Sequence, residues 1–166
     1  MAPISDPPRQ DDPLALDRQV CFALAVASRS VIAFYRPILE PLGLTHPQYL
    51  VMLALWQHAP LRFGEVAQQL RLDPATLTPI VKRLEAQELV ERQRVDGDDR
   101  TFTLSPTEKG AALRDRAVAV PRMVVERLGM PIERLTALRD ELTGLIAAVD
   151  RAAPSARAEE NRSSQR

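Results

Sequence analysis

A lone thiol, a basic helix face and a basic hairpin are the parts of this chain whose residue types could do chemistry. Cys21 is the one cysteine among 166 residues. It cannot close a disulfide within its own chain, so its role is packing or reactivity. On an apolar helix face a cysteine ordinarily serves as a small buried hydrophobe. A reactive one needs hydrogen bonds or positive charge that favour the thiolate, because a free thiol has a pKa near ~8.5. Further along, a helix from Pro74 with Leu77, Ile80, Val81 and Leu84 in its buried arc leaves Ala75, Thr78, Pro79, Lys82 and Arg83 toward solvent, with Thr76 at the edge. Small residues there permit close approach to bases, the threonines can meet a thymine methyl or a phosphate oxygen, and the two cations can neutralise phosphates. Arg92 and Arg94 add positive charge in the segment that follows.

These residues need elements to hold them. Residues 14–34 carry Leu14, Leu16, Val20, Leu24, Val31 and Ile32 with no Gly or Pro between, which predicts a long first helix ended by Pro37 and Pro41. Cys21 then sits about two turns inside it, where the helix dipole has faded. Thr45 and Gln48 have capping-box spacing and predict a second helix, apolar on nearly every side and so buried and central. Residues 63–71 predict a short helix; Asp73 caps the next and Pro74 suits its first position. Pro79 inside that helix predicts either a bend or a start at Thr78. Residues 89–95 and 100–104, on either side of Asp96-Gly97-Asp98-Asp99, predict a hairpin. Helix, helix, hairpin is the order of a winged helix-turn-helix. Ser105-Pro106-Thr107-Glu108 predicts another capped helix start, bent at Pro121 and closed by Gly129. Pro131 opens a last helix in which Leu135, Leu138, Leu142, Leu145 and Val149 form a heptad-like seam that wants a partner surface.

The fold class expected is therefore mainly α with a small β-hairpin wing: a winged helix-turn-helix at about 45–105, with N- and C-terminal dimerisation helices at about 14–36 and 106–152. Residues 13–152 form the single domain, and the Pro-rich arm 1–12 and polar tail 153–166 are expected to be disordered. Composition is 45% hydrophobic and 27% charged with no net charge. No run is judged apolar enough for a bilayer, and the first residues lack a secretory pattern, so the expectation is a soluble, cytoplasmic protein. A zero net charge does not argue for nucleic acid, though arrangement rather than composition decides phosphate contact.

The segments VCFAL, LTHPQYLVMLALW, LRLDPATLTPIVKRLE, DGDDR and LSPTEKG together resemble the multiple-antibiotic-resistance regulator (MarR) family, in its organic-hydroperoxide-resistance repressor (OhrR) branch. The resemblance spans roughly residues 14–125. It implies a homodimeric winged-helix repressor on a palindromic operator in double-stranded DNA, released when an organic hydroperoxide oxidises a cysteine near the start of the first helix. Cys21 matches that position, and with no second cysteine the chain resembles the one-cysteine type, whose sulfenate is capped by a small-molecule thiol or a backbone amide. The family supplies two tyrosine hydroxyls to the thiolate: one matches Tyr35, while His46 stands where the other would be, and Tyr49 in the same motif ranks below both. In a continuous helix Cys21 and Tyr35 lie roughly 21 Å apart along the axis, so the tyrosine must come from the other subunit. Arg100 matches the family's wing arginine, with Asp98 as the acid that positions it.

No cofactor, metal or catalytic residue is expected. Three other functions compete: a MarR-type repressor switched by a small aromatic ligand in the dimer cleft with Cys21 structural, a thiol peroxidase, and a helical adaptor without a DNA role. Neither a resolving cysteine nor a peroxidase motif supports the second.

Overall fold

The computed structural model describes residues 12–95 and 98–152, with backbone alone at residues 95 and 98–101. The arm 1–11, the tail 153–166 and Asp96-Gly97 of the hairpin turn lie outside the described residues. In chain order there are a 3-10 turn Leu16–Arg18, α1 Val20–Leu39, a 3-10 turn Glu40–Leu42, α2 His46–His58, β1 Leu61–Arg62, α3 Phe63–Leu70 and α4 Pro74–Ala86. Then come β2 Val90–Val95, β3 Asp98–Pro106, α5 Glu108–Ala117, α6 Val120–Leu128 and α7 Ile132–Ala152. Two compact units divide the chain after Val120.

In the first unit α2 is the hub, packing on α1, α3, α4, α5 and β3. Val51, Met52 and Leu55 of α2 are fully buried, as are Leu39, Val66, Leu77, Val81, Leu84 and Leu104 from the surrounding elements. Each such side chain contributes about 1.5–3 kcal/mol relative to exposure. α3 ends on Arg71 in the left-handed conformation (φ 54°), and Asp73 then caps α4 by accepting the Thr76 N–H at 2.8 Å. This tight reversal is the helix-turn-helix. The hairpin β2–β3 is antiparallel, and β1 adds a third strand on the other side of β3, with Leu61 opposite Leu104. β1 is too short to show any period-2 pattern, and it went unpredicted.

Several expectations are corrected. The first helix is a 3-10 turn followed by α1, and α1 continues through Pro37 to Leu39. Pro37 sits in the last turn and removes the N–H that would pair with the Ala33 carbonyl; Ala33 is exposed, so water can take that carbonyl instead. Two consequences follow. Cys21 is the second residue of α1, in its first turn and not two turns inside. The apolar stretch Val20–Leu42, 23 residues, is long and apolar enough by length and composition to cross a membrane, contrary to the sequence estimate, and little of it is buried. Leu50 and Leu53 leave α2 partly exposed, at 36% and 40%, so that helix is not buried all round. Asp98 and Asp99 belong to β3, not to a turn. Ser105 and Pro106 also continue β3; Thr107 is the true cap of α5, its Oγ1 accepting the Gly110 N–H at 3.0 Å while donating to the Glu88 carbonyl at 2.6 Å.

Where one bent helix was expected before Gly129, α5 ends at Ala117 and α6 restarts at Val120, with Pro121 in the first turn, where a proline is tolerated. In the second unit Gly129, at φ +62°, closes α6 and α7 follows Pro131. The predicted seam lies on α7: Leu138, Leu142, Leu145 and Val149 are exposed and Leu135 is half-buried.

Candidate functional site

α1 carries potential chemistry at both ends. At its start Cys21 is an exposed free thiol, in the turn whose unpaired backbone N–H groups favour negative charge. At its far end Tyr35 meets the first turn of α2. The Tyr35 ring lies 5.2 Å from His46, edge to face, and 6.3 Å from Tyr49, which in turn stands 6.5 Å from Trp56. Tyr35 and His46 are half-buried and Tyr49 is buried. Burial raises the Tyr35 pKa and lowers that of His46; Tyr49 is raised first by burial and then by its neighbour Tyr35. At neutral pH the cluster therefore presents phenol O–H groups and a neutral imidazole, all able to donate a hydrogen bond, and no imidazolium.

The three residues proposed to support a thiolate thus come together, but Cys21 does not join them in one chain. α1 is continuous from residue 21 to residue 35, so the two ends stay roughly 21 Å apart.

On α4, Ala75, Thr76, Pro79, Lys82 and Arg83 are exposed, as expected. Lys82 and Arg83 enter no ion pair among the described residues. Thr78 is only half-exposed, and its hydroxyl donates back to the Pro74 carbonyl at 2.7 Å, so its methyl is the freer contact. The Thr76 hydroxyl likewise donates to Asp73 at 2.7 Å. α4 starts at Pro74 and runs unbroken through Pro79, so it does not begin at Thr78.

Both hairpin arginines of β2, Arg92 and Arg94, are exposed. The Arg92 Nε donates to Glu85 of α4 at 2.6 Å and its guanidinium lies 4.4 Å over the Phe102 ring. Phe102 also faces Phe63 of α3 at 5.7 Å. Arg92 was expected to face phosphates, yet it braces the hairpin stem against the helix pair. Glu85 and Phe102 were missed because their partner lies on another element. Asp98 and Arg100 are placed in β3 by backbone, and their side chains lie outside the described residues.

The organic hydroperoxide resistance transcriptional regulator of Bacillus subtilis (strain 168) is 39% identical to this chain over 135 residues, covering 81% of this chain and 92% of that protein. The MarR family model matches residues 44–102, from the residue pair before α2 into β3. The chain belongs to the MarR family. Its fold agrees with solved MarR-type chains: reduced AbfR bound to DNA, a protein of Staphylococcus epidermidis, at 29% identity and TM-score 0.67 over 81% of this chain and 94% of that one. CouR from Rhodococcus jostii RHA1 bound to p-coumaroyl-CoA is similar at 28% identity and TM-score 0.67, over 80% and 94%. This MarR protein is a transcriptional regulator with a winged helix-turn-helix, and the matched segment contains α4 as well as His46 and Tyr49.

Proposed function

We propose that this MarR regulator is a cytoplasmic homodimeric repressor that senses organic hydroperoxide through Cys21 and then releases its operator. The observation that carries the reading is the split of one site over the two ends of α1: an exposed thiol at residue 21 and a cluster of hydrogen-bond donors around Tyr35. A second copy of α1 packed antiparallel closes that gap. The midpoint of positions 21 and 35 is Ser28, so a two-fold axis passing there sets Cys21 against Tyr35 of the other copy, with His46 beside it. Ala25, Ala27 and Ser28 are small and exposed, which allows two helices to approach closely at the crossing. The apolar residues exposed along α1, among them Phe22, Leu24, Val31 and Ile32, gain a partner in the same step.

In the chemical step the Cys21 thiolate attacks the terminal peroxide oxygen. An S–O bond forms, the O–O bond breaks, and the alkoxide leaves as an alcohol after taking a proton. Sulfur is oxidised by two electrons and the hydroperoxide reduced by two. The sulfenic acid then condenses with a small thiol to a mixed disulfide and water. On the DNA side, α4 offers Ala75, Thr76, Thr78 and Pro79 to base edges and Lys82 and Arg83 to phosphates, while Arg94 and Arg100 serve the wing, with Asp98 positioning Arg100. Two-fold symmetry of the dimer calls for a palindromic duplex.

The test uses a palindromic duplex selected from random sequence. The reduced protein should bind it and lose affinity after cumene hydroperoxide, with the mass gain on Cys21. The variant Cys21→Ser should bind equally and not respond. A Cys21→Ser variant that still releases DNA on hydroperoxide treatment overturns the redox reading and favours a small-ligand switch.

A further inference from the structure

Gln48 is the one buried polar side chain among the described residues, 4% exposed, in a core otherwise built of apolar groups. A buried amide is tolerated only where its groups are paired. Its Oε1 accepts both the backbone N–H of Thr45 at 2.8 Å and the Thr45 hydroxyl at 3.0 Å. Its Nε2 donates to Oε1 of Gln87 at 3.0 Å, and the Nε2 of Gln87 donates to the Gly43 carbonyl at 3.0 Å. Gly43 and Thr45 belong to the same turn between α1 and α2, so the chain of hydrogen bonds closes into a ring. Its direction is single-valued. The Thr45 N–H can only donate and the Gly43 carbonyl can only accept, and flipping either amide sets donor against donor or acceptor against acceptor.

The ring joins two parts of the molecule with different tasks. Gln87 is the C-cap residue of α4, and its own carbonyl is held by Lys109 Nζ of α5 at 2.8 Å. The turn at residues 43–45 leads directly into His46, whose ring meets Tyr35. We propose that Gln48 and Gln87 are positioning residues that set the reading helix α4 from the turn bearing the sensor cluster, so that a shift of that turn opens the ring and frees the end of α4. The connection to hydroperoxide rests on the redox reading above; the positioning of α4 does not.

The experiment uses the full-length dimer carrying Gln87→Leu, which keeps the bulk of a half-exposed side chain while deleting both hydrogen bonds. Binding is measured to the selected palindrome and to a scrambled duplex of the same length. Loss of the ring should cut the ratio of specific to non-specific affinity at least tenfold, with the scrambled-duplex affinity unchanged because Lys82 and Arg83 still meet phosphates. After cumene hydroperoxide, Cys21 should oxidise to the wild-type extent while the further loss of specific affinity shrinks. Gln48→Leu tests the ring from its buried side and serves if Gln87→Leu misfolds. Wild-type specificity ratios in folded samples of both variants overturn the proposal. A wild-type protein that binds the palindrome but ignores hydroperoxide refutes the redox reading instead, and the specificity ratio still decides the ring.

Discussion

Arg92 and His46 show how one side chain's partners decide its task. With Glu85 at 2.6 Å and Phe102 at 4.4 Å, Arg92 directs its charge to groups of its own chain at the surface. Replacing it by alanine should weaken duplex binding without changing the slope of log affinity against log salt, whereas Lys82→Ala should reduce that slope by about 1. Titrations from low to moderate salt make the comparison, and a reduced slope for Arg92→Ala would place that residue on phosphate after all. His46 has its pKa lowered by burial from the ordinary 6.5. Above that value both folded and unfolded chains hold it neutral. As pH falls below it the unfolded chain takes the proton first, so stability drops until the pH passes the folded pKa. Urea unfolding at pH 7.5 and 5.5 should show a smaller acid loss in His46→Phe than in the wild type.

Among the elements, the junction of hairpin and α5 is the most tightly drawn. A Cβ on Gly110 would run into the Leu89 carbonyl oxygen, and the Gly110 carbonyl accepts the Trp56 indole N–H at 2.8 Å. Gly110→Ala should therefore destabilise the protein by about 1–3 kcal/mol, read as a lower urea midpoint, although alanine is the better helix former. Sequence reasoning placed α2, α3, α4, the hairpin and α7 because each carries its own periodicity or cap, Asp73 and Pro74 most clearly. It misjudged both ends of α1 and the start of α5. Pro37 and Pro106 look like helix punctuation in isolation, but Pro37 falls in a final turn and Pro106 still pairs with Val90 in the sheet. Gly110 as a contact point had no local signal, since what excludes a side chain there is backbone from Leu89.

For the whole molecule, the two-fold arrangement proposed for α1 makes a geometric prediction. In a Cys21→Ser background, Ser28→Cys should form a disulfide between two copies under mild oxidation, because a residue on the axis meets itself, whereas Val31→Cys should cross-link far less. Non-reducing electrophoresis reads the outcome, and equal cross-linking at both positions would remove Ser28 from the axis. The exposed leucines of α7 provide a second apolar stripe available to a partner.

The sequence alone determined the succession of α1, α2, α3, α4 and the hairpin, the helix-turn-helix within it, the lone thiol and most of the solvent face of α4. These depend on short-range rules of periodicity, capping and turn chemistry. The tertiary structure decided the rest: that Cys21 lies in the first turn of α1, that Tyr35, His46 and Tyr49 share one cluster, that Arg92 pairs with Glu85, and that Gln48 reaches Gln87 across 39 positions. Such pairings depend on which faces meet when the core closes around α2, and no local pattern in the chain records that.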